Sequence, residues 1–284
     1  MHELKNKPGR TMPPVAQNPS PMVEYTRRHE RLAEKTPAGQ CYSLEGILDR
    51  PVEVYVPKNT TPPFDLLIHF HGAAFVARHA ADQAPNPLIT ATANLGAGSA
   101  VYEKPFAQID TLAHLLTAIE AQVGPWKHLW LSGFSAGYGA LRAILSQQKY
   151  ADQVDGILIL DGLHTGYTPP HTPLAQKGTL EEGELAPFVA YAQRALTGDK
   201  AMLLIHSEVF PGTFASTTET ADYLAQKLAL QRQALLAWGP LGMQQLSQAQ
   251  QGRLQLMGYA GNSAPDHMDH LHALPHFTTT LQDL

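Results

Sequence analysis

The segment that most constrains this chain is Lys127–Leu145, KHLWLSGFSAGYGALRAIL. A β-type run, His128 to Leu131, enters Gly133-Phe134-Ser135-Ala136-Gly137, and an Ala/Leu-rich run of helical type leaves it. A G-x-S-x-G between strand and helix forces a tight, strained turn. The glycines stand where strand and helix pass too close for a Cβ, and Ser135 is carried to the tip with its hydroxyl exposed. The backbone N–H of Ala136, at the start of the helix, has no partner within it and can face a developing anion. The bare motif recurs by chance in turns. Its flanking strand and helix are what make Ser135 a candidate nucleophile.

The remaining apolar runs alternate between strand and helix patterns. Cys41–Leu44 and Val52–Val56 read as short opening strands, the second with period-2 alternation. Leu66–Phe70, Gly156–Leu160 and Ala201–Ile205 read as buried strands, with Asn86–Asn94 and Leu254–Gly258 as further candidates. Helical spacing covers Phe106–Val123, where Ile109, Leu112, Leu115, Leu116, Ile119 and Val123 share one face. It recurs in Glu184–Leu196 and in Ser216–Leu230, the latter capped by Ser216 or Thr217 with Glu219 nearby. His267–Leu281 reads as a last helix interrupted at Pro275. Strands alternating with helices predict an α/β fold, a doubly wound and mostly parallel central sheet flanked by helices. With 284 residues, 44% of them hydrophobic, the chain suits one large domain, read as residues 23–284. Residues 1–22 read as a proline-rich arm, and residues 165–197 as a short cap-like insertion.

In such sheets the site lies beyond the carboxyl ends of the strands, so the residues that terminate each strand are the first candidates. Leu66–Phe70 runs into His71-Gly72-Ala73-Ala74, and the N–H of Ala73 or Gly72 is a candidate second oxyanion donor. Gly156–Leu160 runs into Asp161, and Ala201–Ile205 into His206-Ser207-Glu208. Either Asp161 or Glu208 could orient a catalytic histidine: residue type favours Asp161, position after the penultimate strand favours Glu208. A histidine leading into the final helix completes the chain order Ser…acid…His, with His267 the first candidate and His270, one turn on, the second. His71, Tyr138 and His164 are candidate substrate contacts, and His69, Tyr167 and Trp238 could join them in a polar–aromatic pocket.

Other classes of function fit less well. A net charge of -5 without a basic block argues against nucleic-acid binding. A single cysteine, Cys41, rules out an internal disulfide framework and a cysteine-based zinc site. No apolar run approaches the ~20 residues that span a bilayer, and the amino end has no signal-type apolar core. The cluster of His267, His270 and His272 with Asp266 and Asp269 could in principle hold a metal. That reading leaves Ser135 unexplained, so neither a metal nor a cofactor is expected.

Taken together, HGAA at 71–74, GFSAG at 133–137, acids at strand ends and a histidine before the last helix resemble the α/β-hydrolase superfamily over residues 40–284. Within it the chain is most similar to bacterial serine esterases of the dienelactone-hydrolase and carbohydrate-esterase type. That resemblance implies an α/β-hydrolase fold and hydrolysis of small or sugar-linked acyl esters through an acyl-enzyme. Two departures stand out: Glu208 lacks the D-x-x-V-P context, and HGAA lacks the full HGGG run that goes with bulky tertiary-alcohol esters. A serine peptidase or amidase, or a catalytically silent binding protein, are the alternatives on the same scaffold.

Overall fold

The protein is described by a computed structural model that covers residues 28–284; the arm expected at residues 1–22 lies outside the described residues. Its elements, in chain order, are β1 (Gln40–Leu44), β2 (Val52–Val56), β3 (Asp65–Phe70), α1 (Ala74–Gln83), β4 (Leu88–Ala93), α2 (Ala100–Phe106) and α3 (Thr111–Val123). Next come β5 (Leu129–Phe134), α4 (Tyr138–Leu145), α5 (Gln148–Gln153), β6 (Gly156–Leu160), β7 (Tyr167–Thr168), β8 (Thr179–Leu180) and α6 (Glu182–Leu196). The chain closes with β9 (Ala201–His206), α7 (Thr217–Lys227), β10 (Gln233–Trp238), β11 (Gln244–Gln251), β12 (Leu254–Tyr259), α8 (Ala264–His272) and α9 (Leu274–Asp283).

Ten strands form one sheet in the order β1-β2-β4-β3-β5-β6-β9-β12-β11-β10. The six central strands, β4 to β12 in that order, pair in parallel, and an antiparallel pair is added at each side. The mostly parallel sheet flanked by helices is the architecture expected from the sequence. Parallel strands covered on both faces must be apolar throughout, because successive side chains enter opposite layers. β6 illustrates this. Ile157 and Ile159 belong to the core layer under α2, α3, α4 and α6, whereas Leu158 and Leu160 belong to the layer under α1 and α9. Each such side chain contributes about 1.5–3 kcal/mol of burial.

Five local features differ from the sequence pattern. Helical spacing from Phe106 is two helices: α2 ends at Phe106 and α3 does not start until Thr111. Ile109 therefore sits in the connection, 64% exposed, and not on the buried face. α1, directly after the HGAA segment, and the β10–β11 hairpin are not legible from pattern. β11 is QQLSQAQQ, poor in strand-forming residues, and takes its shape from pairing with β12. In the segment 165–197, α6 belongs to the regular helix layer, with Leu185, Phe188 and Tyr191 in the core. What stands apart is the small β7–β8 ribbon. Finally, the last helix begins earlier than expected. Ser263 caps α8 in a reciprocal arrangement with Asp266, and the chain restarts as α9 around Pro275.

An extended strap, residues 29–34, crosses α1 and α8. The Leu32 N–H donates to His272 Nδ1 (3.0 Å), His29 Nδ1 lies 2.9 Å from Asp269 Oδ2, Arg31 pairs with the same aspartate, and Arg78 meets Glu34. No helix among the described residues is long and apolar enough to cross a membrane. Cys41 is exposed and free.

Candidate active site

Three neighbouring strands end in the same unusual way. His71 after β3 (φ 69°), Ser135 after β5 (φ 46°) and Asp161 after β6 (φ 44°) are all left-handed, a conformation that costs a non-glycine residue about 1–3 kcal/mol. Each of these residues carries polar chemistry, and the turn lifts its side chain off the sheet. Glycines make the geometry possible. A Cβ on Gly137 would lie 2.1 Å from Phe70 O, so α4 can leave the turn only because that atom is absent. A Cβ on Gly162 would lie 2.7 Å from Ser135 N, so the residue after Asp161 rests directly on the Ser135 backbone. The acid and the hydroxyl are thereby brought to one place by backbone contact alone.

Asp161 is 1% exposed and accepts hydrogen bonds from two residues besides the histidine. The Ser207 N–H donates to Oδ1 (2.8 Å), Ser207 Oγ to Oδ2 (2.8 Å), Thr217 Oγ1 to Oδ1 (2.8 Å), and His267 Nδ1 to Oδ2 (2.6 Å). The two residues that join His267 here are thus Ser207, through two groups, and Thr217. Burial pushes this carboxyl up. The nearby His270 charge, the His267 hydrogen bond and the Ser207 N–H outweigh it, and hold the group well below the usual carboxylate range. An ionised carboxylate only accepts, so Nδ1 of His267 must carry the hydrogen, which leaves Nε2 of the neutral ring as a base. The His267 ring is steadied against Phe134 (centroids 4.5 Å apart), the residue before Ser135. Ser135 and His267 line the same cavity, although no hydrogen bond joins them among the described residues. Such contacts commonly tighten only when substrate arrives.

The other candidates divide. His164 and Tyr138 line a cavity beside Ser135 and Ala136. His164 Nδ1 donates to Ala215 O (2.8 Å), and burial lowers the pKa of the ring, so it is neutral near pH 7. His71 is not in the wall of either cavity that Ser135 lines; its Nδ1 lies 2.8 Å from Tyr102 Oη, and its ring stacks on Phe134 (centroids 5.8 Å apart). Burial, then the charge of His267, holds it neutral. Gly72 (φ 129°) and Ala73 stand at the start of α1, at the end of the strand that pairs with β5. Glu208 and His270, the alternative acid and base that the sequence allowed, line neither of the cavities that Ser135 lines. Glu208 is exposed, and its N–H donates to Gly261 O. His270 is buried beside Tyr259 with Nδ1 on Asp266 O.

Three pocket residues expected from the sequence lie elsewhere. His69 is fully buried, bonded to Ser132 Oγ (2.7 Å), and burial lowers it to about 3. Tyr167 donates to Glu219, and Trp238 is 63% exposed on the sheet edge. The acidic histidine-rich helix has a structural use: Asp266 caps α8, and Asp269 holds the strap. His29, Asp266 and Asp269 do place ligand-type atoms within 4.8 Å of one another, but Arg31 already pairs with Asp269. Sequence reasoning misses Ser207 and Thr217, which satisfy Asp161, and Arg142, Glu184 and Phe214, which line the cavities. No motif announces them. Ser207 alone is within reach of such reasoning, as the residue after His206 at a strand end.

No protein-family model matches the chain, and no curated protein matches it. Solved structures do. A hyperthermophilic esterase from the archaeon Pyrobaculum calidifontis superposes with a TM-score of 0.50 at 11% identity, over 90% of this chain and 85% of that one. An S-formylglutathione hydrolase from Staphylococcus aureus reaches 0.49 at 15% identity, over 88% and 99%. The first likeness, with the strand order, identifies the architecture: the chain has the α/β-hydrolase fold.

Proposed function

We propose that this protein hydrolyses carboxylic esters, with Ser135 as nucleophile, His267 as general base and acid, and Asp161 as the group that orients His267. The observation that carries the reading is the 2.6 Å His267–Asp161 contact at a cavity shared with a serine on a left-handed strand-to-helix turn. The esterase name of the Pyrobaculum structure agrees with it.

Unaided, a serine hydroxyl is too weakly acidic to attack a carbonyl. His267 Nε2 takes the proton as Oγ bonds to the carbonyl carbon, and Asp161 stabilises the imidazolium that results. The N–H groups of Ala136 and of Ala73 or Gly72 receive the oxyanion, a contribution of about 3–4 kcal/mol per donor in comparable sites. Collapse breaks the bond to the alcohol oxygen, which leaves with the proton from His267. Water then repeats the sequence on the acyl-serine, releasing the acid and restoring Ser135. None of these steps draws on a cofactor.

The test is hydrolysis of p-nitrophenyl butyrate by wild type and Ser135→Ala, with circular dichroism to check the fold. A fall of about 10⁴-fold or more is expected for the variant. Equal rates, or failure of a fluorophosphonate probe to label Ser135, would overturn the assignment.

A further inference from the structure

Ser135 stands between two cavities that share only Ser135, His164 and Phe214. The first, about 340 Å³, has Val209, Pro211, Phe214 and Ala264 in its wall, together with His267. The second, about 430 Å³, runs along α4 and carries Arg142 and Glu184. If an ester is the substrate, as proposed, the two cavities cannot take its halves interchangeably. His267 must protonate the leaving oxygen, so the alcohol half lies in the cavity that His267 lines. The acid half then lies in the other, past Ala136.

That second cavity is built around a fixed ion pair. Arg142, its side chain 11% exposed, donates from Nη2 to Glu103 (2.6 Å) and pairs through Nη1 with Glu184 Oε1 (3.1 Å). Its guanidinium rests on the Tyr138 ring, 5.5 Å from the centroid. Glu184 is held from its other oxygen by Thr165 Oγ1 (2.9 Å) and the Gly166 N–H (3.1 Å), yet stays 38% exposed. Two carboxylates thus share one guanidinium, which leaves the cluster net negative. A plain alkyl chain placed here would strip water from these groups and return no hydrogen bond. A carboxylate would meet Glu184 and Glu103 while the cation is already engaged. A hydrogen-bond donor meets neither problem.

We infer that the acid half of the substrate carries a donor group, a hydroxyl or an ammonium, read by the Glu184–Arg142 pair, and that the alcohol half is apolar. Glu184 is then a specificity-determining residue outside the reacting groups.

The experiment measures kcat/KM for four benzyl esters that differ only in the acid: 3-methylbutanoate, 3-hydroxybutanoate, 3-aminobutanoate and hydrogen succinate. In the wild type the hydroxy and amino esters should exceed the methyl ester by about tenfold, the worth of one well-made hydrogen bond, and the succinate ester should be the poorest. Glu184→Gln, which keeps acceptors for Thr165 and Gly166, should erase the ammonium preference and retain the hydroxyl one; Glu184→Met should erase both. Rates within twofold of one another in the wild type, or an order unmoved by either variant, would overturn the inference and leave ester hydrolysis standing. If no ester is cleaved, ester hydrolysis falls and calorimetry still decides the subsite. Binding of 3-aminobutanamide about tenfold tighter than 3-methylbutanamide supports it, and equal binding overturns it.

Discussion

The carboxyl ends of β3, β5 and β6 and the outer edge at β10 are opposite extremes of one sheet. At the first, backbone passes within contact distance of backbone, as at Gly137 and Gly162, and a single added carbon has no room. At the second, Gln233–Trp238 is exposed along almost its whole length, with Leu236 at 74% and Trp238 at 63%. The contrast separates two ways in which a sequence carries meaning. Where atoms crowd, few residue types are possible, and the pattern can be read. Where the chain is loosely held, many sequences would serve, and the hairpin goes unseen.

If the crowded region is the working one, the largest effect should come from Asp161→Asn. It leaves the shape of the cluster and removes the charge facing imidazolium, so esterase activity should fall about 10³-fold or more. A fall under tenfold would place the orienting acid elsewhere. Next, Gly137→Ala pushes a Cβ into Phe70 O and should cost several kcal/mol, read as a lowered denaturant midpoint at unchanged slope.

Acid should act through buried histidines. Burial lowers His69 to about 3, and burial with the Arg232 charge lowers His206 to about 4. Both bind protons more readily unfolded, near pH 6.5, so stability is full above that value and is lost as pH falls toward 4, on the order of 3 kcal/mol for each. Thermal unfolding from pH 8 to 4 checks this, and a flat profile would refute it. The smallest effect belongs to the edge. Trp238→Ser should change activity less than twofold and stability by no more than about 0.5 kcal/mol, and a larger loss would mean that the edge is as tightly specified as the strand ends.

The same contrast explains how much of the molecule is legible in its sequence. Gly133, Ser135 and Gly137 are readable because a strand-to-helix turn admits little else. Asp161 is readable only as one of two acids, since the choice rests on Ser207 and Thr217, which reach it from beyond β9 and from α7 and obey no spacing rule. Arg142 reads as an ordinary helix residue. Its pairing with Glu184, on a helix that begins about forty residues on, depends on how α4 and α6 pack. Ile109 is misplaced by a periodicity that runs across the break between α2 and α3.

The strap over α8 also sets an order in time. His29 finds Asp269 across 240 residues of intervening chain, and Leu32 finds His272 across the same span. While the protein is being synthesised, the strap can meet α1 early, but His29 and Leu32 lack these partners until α8 emerges, and α8 is also the helix that brings His267. A growing chain therefore displays its serine and aspartate long before it has a base to join them. If Ser135 and His267 act together as proposed, the power to cut esters arrives in a single late step.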